Sequence, residues 1–142
     1  MQKFKEMYRL ITIFIFSLGC MISLSGQTVP QELSSAMKAG EATKLAQFFH
    51  ESLELTILDK DYVASKNQAT RIMENFFKEH PPTGFTISFE GTKEKSKYAI
   101  GNLTTAKGNF RVNIFFISKD GKRLVYYMSI EKESQYELSP RP

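Results

Sequence analysis

The chain is poor in the residues from which reactive centres are usually built. Among its 142 residues there is one cysteine, there are two histidines, and tryptophan is missing altogether. The cysteine, Cys20, lies in an N-terminal apolar stretch, so the chain downstream of it can form neither a disulfide framework nor a thiol nucleophile. His50 and His80 are far apart and satisfy neither the H-x-x-x-H nor the H-E-x-x-H spacing, which predicts no metal centre. His80 precedes two prolines and reads as a helix terminator. His50 reads as the end of a short helix, where a cation favours the dipole. No G-x-S-x-G elbow occurs, and Gly84, Gly91, Gly101 and Gly108 stand singly, which leaves no phosphate-cradling loop and no cofactor to expect.

Charge of one sign is also scarce. The formal net charge is +4, and the basic cluster Lys93-Glu94-Lys95-Ser96-Lys97 is diluted by an acid. A nucleic-acid partner would call for a coherent basic face with interleaved aromatics. These charges read instead as a solvated surface.

What is present begins with an export signal. Lys3, Lys5 and Arg9 precede an apolar run over residues 10–24, and Ser23, Ser25 and Gly26 offer a cleavage site before Gln27. That is the order of a secretory signal peptide. The run is shorter than the about 20 residues that span a bilayer comfortably. Residues 1–26 are therefore assigned to a leader, with no stable membrane span after cleavage and a periplasmic or extracellular destination. An uncleaved N-terminal anchor and a lipidated Cys20 are the alternatives. Loss of the leader removes three cations and Glu6, taking the formal charge to +2.

Residues 27–132 then suit one domain, with 133–142 a polar, flexible tail. Thr28, Pro30 and Gln31 predict a capped helix start, Leu33, Ala36 and Met37 its buried face, and Gly40 its end. A second short helix carries Ala42, Leu45, Ala46 and Phe49 on one stripe. Leu53, Leu55 and Ile57 alternate with polar residues, predicting a strand over 51–58 that Asp59-Lys60-Asp61 ends. Ser65-Lys66-Asn67-Gln68 is a capping box. It opens the strongest helix of the chain, with Ala69, Ile72, Met73, Phe76 and Phe77 on one face and His80-Pro81-Pro82 as its stop.

Beyond Thr83 the pattern is antiparallel sheet. Phe85, Ile87 and Phe89 alternate, a polar loop over 91–96 follows, and strands are predicted over 97–105, 110–117 and 123–131. Asp120-Gly121 marks a tight hairpin. Its two arms are apolar on both faces: Phe110, Val112, Ile114 and Phe116 form one face, while Phe115, Ile117, Val125 and Tyr127 enrich the other. A doubly apolar strand must be covered twice. Helices of the same chain can cover one side. The other side predicts an interface, built on Phe115, Ile117, Val125 and Tyr127 and joining two copies as a homodimer; the alternative is that the tail or a loop covers it. The element order α-α-β-α-β-β-β-β makes this an α+β fold, with N-terminal helices packed on a curved antiparallel or mixed sheet that forms a cone.

Several short blocks carry a family resemblance. Leu55-Thr56-Ile57-Leu58-Asp59, Ser65-Lys66-Asn67-Gln68-Ala69, Asn75-Phe76-Phe77, Tyr98-Ala99-Ile100-Gly101 and Gly108-Asn109-Phe110-Arg111-Val112 resemble the DUF4783 family of secreted Bacteroidetes proteins. The order of elements resembles the NTF2-like (cystatin-like) superfamily. That resemblance implies the cone fold over nearly the whole domain. It brings no activity and no catalytic residue, because enzymes, transporters and binding modules share the superfamily.

One enzymatic arrangement fits such a cone: a carboxylate base and a phenol donor inside an apolar cavity. Asp59 or Asp61 is the candidate base, and Tyr62, Tyr98 or Tyr126 the candidate donor. The competing reading makes Asp59-Lys60-Asp61 a solvated turn and the tyrosines packing residues with a wet tip. Arg111 shares a strand face with Asn113, Phe115 and Ile117 and is a candidate anchor for an anionic ligand. Alternatively it pairs with Glu131 across the sheet. The leading expectation is an exported, non-enzymatic domain that binds a small apolar ligand or a protein partner. The runner-up is a cofactor-independent proton-transfer enzyme, of isomerase or dehydratase type, using the cone pocket.

Overall fold

Each reversal of the sheet is made by residues forced into the left-handed region. A computed structural model describes residues 3–9 and 28–133. Residues 3–9 form an exposed helical stretch. The rest of the predicted leader and the predicted tail beyond Glu133 lie outside the described residues, as does the predicted cleavage region. The domain runs α1 (Gln31–Ala39), α2 (Ala42–Ala46), β1 (Phe49–Ile57), β2 (Lys60–Ser65), α3 (Lys66–Glu79), β3 (Pro82–Lys93), β4 (Ser96–Thr105), β5 (Gly108–Lys119) and β6 (Lys122–Lys132). The six strands form one curved, unclosed sheet in the order β2-β1-β6-β5-β4-β3. Every neighbouring pair is antiparallel except β1 with β6, which run parallel. This is the α+β architecture expected from the sequence, with one additional strand.

That strand is β2. Leu58 (φ 48°) and Asp59 (φ 71°) form a two-residue turn with both central residues left-handed, and Ile57 pairs with Lys60 across it. Asp120 (φ 53°) and Gly121 (φ 74°) make the same turn between β5 and β6. The second turn has the Asp-Gly signature and the first has no glycine, so only the second was legible. Asp59-Lys60-Asp61 is thus a hairpin turn and the start of an edge strand, not a strand-to-helix connection. The predicted polar loop over 91–96 is likewise a tight hairpin, with Lys93 paired to Ser96 and Glu94 at φ 57°.

The helices follow their signals unevenly. Around α3 the capping box forms as written: the Gln68 N–H donates to Ser65 Oγ at 3.2 Å, and the Ser65 N–H donates to Gln68 Oε1 at 3.0 Å. Around α1 the predicted Thr28–Gln31 box does not form, because Pro30 takes the N-cap position without a side-chain cap. Thr28 is held to the sheet instead, its carbonyl accepting from Arg123 Nη1 at 2.6 Å. The α1 C-terminus ends as predicted on left-handed Gly40, with the Glu41 N–H donating to Ala36 O and the Gly40 N–H to Met37 O. Helix α2 stops at Ala46, so Phe49 is buried as the first residue of β1. His50 consequently lies in β1 rather than at a helix end.

The helices pack on one face of the sheet only, α1 against β3 and α3 against β1 and β2. Ala69, Met73, Phe76 and Phe77 from α3 join Leu53, Leu55, Ala99, Leu103, Phe110, Val112, Ile114, Phe116, Met128 and Ile130 in one buried cluster between the two layers, none more than 6 % exposed. His80 does close α3 as expected, its backbone N–H donating to Phe76 O at 2.8 Å. Its ring stacks on Phe76 at 4.7 Å and abuts Phe110 edge-on at 5.1 Å.

Candidate functional site

The predicted site residues fall into two separate places. Asp59, Asp61 and Tyr62 lie at the tip of the β1–β2 hairpin. Asp59 and Asp61 are exposed, and Asp61 Oδ1 accepts from Thr56 Oγ1 at 2.8 Å. Tyr62 is half-buried against the core. Tyr98 and Tyr126 are on β4 and β6, on the sheet face that carries no helix. The structure therefore does not bring either aspartate together with Tyr98 or Tyr126. Tyr62 shares a 360 Å³ cleft between α3 and the hairpin with Lys60, Asn75 and Glu79. Glu79 is the carboxylate that lines this cleft with it, while Asp61 and Tyr62 together line a second 360 Å³ cleft that also reaches Glu54 and Tyr127.

Arg111 is exposed on β5 and stands opposite Glu131 in the β5–β6 register. Beside it on the same face, Asn113 Nδ2 donates to Ser129 Oγ at 2.9 Å. This part of the outer face is polar.

One step along the strands the face becomes aromatic. Register places Val63 (β2), Glu54 (β1), Tyr127 (β6), Phe115 (β5), Tyr98 (β4) and Gly91 (β3) in a single rank across all six strands. Tyr98 stacks on Phe115 at 5.5 Å, and Phe115 meets Tyr127 edge-to-face at 5.5 Å. A Cβ on Gly91 would come within 2.8 Å of the Tyr98 ring, so glycine is the residue that lets this ring lie flat over β3.

Two β-bulges enlarge the aromatic face. The β5–β6 register steps from Phe115↔Tyr127 to Phe116↔Val125, leaving Tyr126 unpaired. Tyr126 and Tyr127 therefore both reach the outer face, where Tyr126 lies 6.3 Å from Phe115. The same step turns Val125 inward, where it is fully buried. Val125 thus belongs to the core and not to the outer patch, because strict alternation from Tyr127 is broken at Tyr126. A second step, from Ile87↔Gly101 to Phe89↔Ile100, turns Phe89 out of the core, so that it is 51 % exposed. Phe115, Ile117 and Tyr127 do lie on the outer face, all half-buried.

The aromatic rank ends in a groove. Between β1 and β6 the register jumps from Phe49↔Val125 to Glu54↔Tyr127, so the intervening part of β1 parts from β6. The opening is a cavity of 580 Å³ lined by His50, Ser52, Leu53, Glu54, Val63, Phe115, Ile117, Tyr126 and Tyr127. That volume is in the range of small-molecule sites. The His50 ring is turned back on its own strand, with Nδ1 2.9 Å from Ser52 O and 3.3 Å from Ser52 N. Sequence reasoning found Phe115, Ile117, Tyr126 and Tyr127 but missed Glu54, Val63 and His50. Only the parallel β1–β6 pairing carries those residues to the rank, and no local signal announces it.

Comparison with known proteins agrees with this architecture. The family profile described as "Domain of unknown function (DUF4783)" matches residues 30–131. A DUF4783 family protein from Bacteroides uniformis is 33 % identical, with a TM-score of 0.71 over 75 % of this chain and 99 % of its own. One from Bacteroides ovatus is 29 % identical, with a TM-score of 0.72 over 78 % of this chain and 100 % of its own. At 13 % identity, an NTF2-like protein of unknown function from Silicibacter pomeroyi superposes with a TM-score of 0.56 over 72 % of this chain and 88 % of its own, a likeness of fold alone. No curated protein matches.

Proposed function

We propose that this chain, which belongs to the DUF4783 family and has an NTF2-like fold, is an exported, non-enzymatic binding domain whose working surface is the outer face of its sheet. The observation that carries the reading is the rank Tyr127-Phe115-Tyr98, continued by Tyr126, on the face the helices leave bare. Ranks of aromatic side chains contribute to sheet stability through cross-strand contact, yet that role does not require a face that no described element covers. The groove beside the rank offers room for a small apolar ligand, and the rank itself offers a surface to a second copy of the chain. Export rests on the order of charges and apolar residues in the leader, and among the described residues no helix is long and apolar enough to cross a membrane.

The competing reading is proton transfer in the cone. Its best support is that Tyr62 and Glu79 line one cleft beside α3. The buried apolar cluster between helices and sheet and the exposed Asp59 and Asp61 favour the binding reading.

The test compares the mature chain with Phe115→Glu and Tyr127→Glu. Light scattering reports self-association, and a thermal-shift screen against small apolar compounds reports ligand binding. Loss of either property in folded variants supports the outer face as the working surface. Folded variants that keep both properties defeat it, as does a wild-type chain that shows neither.

A further inference from the structure

We infer that the groove between β1 and β6 is a site for an organic cation of the quaternary-ammonium type, an assignment that rests on reading the outer face as the binding surface. Three aromatic side chains, Phe115, Tyr126 and Tyr127, line the groove. They are not coplanar: the ring of Phe115 is inclined 82° to that of Tyr127 and 69° to that of Tyr126. The face of an aromatic ring carries negative quadrupole potential and attracts a cation whose charge is spread over methyl groups. The hydroxyl of Tyr126 donates to Ser96 Oγ at 3.1 Å, which fixes one wall before any ligand arrives.

Charge supports the same occupant. Among the described residues the groove is lined by one carboxylate, Glu54, by His50, whose ring is turned back on Ser52, and by no lysine or arginine, in a chain where Lys and Arg outnumber Asp and Glu by 19 to 15. Glu54 stands next to Tyr127 in the rank, so the counter-charge lies beside the aromatic walls. An anion would meet Glu54, which repels it, with no lysine or arginine among the described lining residues to offset the repulsion. A sugar is best held by a flat ring. The stacked pair in this rank is Tyr98 with Phe115, inclined by only 20°, and Tyr98 does not line the groove. On the far side of Glu54, Val63 is 80 % exposed and extends the apolar wall. The 580 Å³ volume leaves room for an apolar group beyond the cationic head.

The experiment is an NMR shift titration of the mature chain with choline and with its neutral isostere 3,3-dimethyl-1-butanol. Choline is expected to bind about fivefold or more tightly than the isostere, the range that cation–π attraction supplies. Glu54→Gln should weaken choline and narrow that gap. Tyr127→Leu should remove choline binding, while Tyr127→Phe, which keeps the ring face, should retain it. Unchanged amide spectra outside the groove establish that each variant folds.

Equal affinity for the two probes overturns the cation assignment and leaves an apolar binding face standing. Choline binding that survives both Glu54→Gln and Tyr127→Leu overturns it as well, because the ligand is then held elsewhere. A wild-type chain that binds neither probe also overturns it. In that case light scattering on Phe115→Glu decides whether the outer-face reading falls too.

Discussion

Glu54 and Tyr127 are partners on the one parallel pair of strands in an otherwise antiparallel sheet. The pairing joins the N-terminal hairpin to the C-terminal meander. It also puts an exposed carboxylate at the end of a row of rings. The face so formed combines apolar area, a fixed charge and a recess, features that a surface with no partner does not need.

The first prediction concerns assembly. If a second copy covers the aromatic rank, the wild-type mature chain scatters as a dimer and Phe115→Glu scatters as a monomer. Phe115 is half-buried on the outer face, so the fold should survive, with a stability change of about 1 kcal/mol in urea denaturation. A wild-type chain that stays monomeric at high concentration removes the dimer from consideration.

A second prediction isolates the best-written local signal in the chain. Ser65→Ala removes the acceptor for the Gln68 N–H at the start of α3. The expected loss is about 1 kcal/mol, seen as a lower denaturation midpoint with an unchanged slope. Ser65 pairs with the groove residue Ser52 but does not itself line the groove, so ligand binding and assembly should follow the wild type once the chain is folded.

The contrast between these two regions shows what could be read from the sequence. Ser65 and Gln68 are three residues apart, and the box they form needs no information from elsewhere. The same holds for Asp120-Gly121 and for the alternation of Phe110, Val112, Ile114 and Phe116. The Leu58-Asp59 turn lacks glycine, and β2 exposes Val63 where a buried residue would have revealed the strand. Both bulges break a period of two by one residue. That break moved Val125 into the core and Phe89 out of it, against a strictly alternating pattern. Glu54 could not be placed beside Tyr127 at all, since long-range strand pairing leaves no trace in local pattern.

The third prediction tests whether the cone is a packed interior. Met73 is fully buried on α3 and faces the sheet, so Met73→Ala should cost about 2–5 kcal/mol through lost transfer energy and a residual cavity. A much smaller cost would mean that the layer between α3 and the sheet is loosely packed. It would also reopen the cone as a place for a ligand.

Gly40 offers a fourth, because two constraints meet there. Its φ of +67° ends α1 in the left-handed region, and a Cβ would sit 2.9 Å from Pro82 Cδ. The first constraint costs an L-residue about 1 kcal/mol, and the proline ring adds to it because it cannot rotate aside as a flexible side chain would. Gly40→Ala should therefore destabilise by more than about 1 kcal/mol. Gly121→Ala shares the positive φ but has open space around its Cβ, so it should cost less. Chemical denaturation of the two variants side by side separates backbone strain from the clash.

The fifth prediction turns on the bulge at Tyr126. Phe115 pairs with Tyr127 and Phe116 with Val125, so Tyr126 is the one extra residue at this point of β6. Deleting it joins Val125 directly to Tyr127 and leaves both opposite their present partners, Val125 inward and Tyr127 outward, in a regular ladder. The fold should therefore survive the deletion, at a cost close to that of Tyr126→Ala, because both variants lose the same half-buried ring. Chemical denaturation of the two variants side by side checks this. A deletion that costs several-fold more than Tyr126→Ala would show that the sheet depends on the local twist the bulge imposes. Equal stability would show that the fold does not need the extra residue, and that the crowding of Tyr126 and Tyr127 onto one face serves the surface they form.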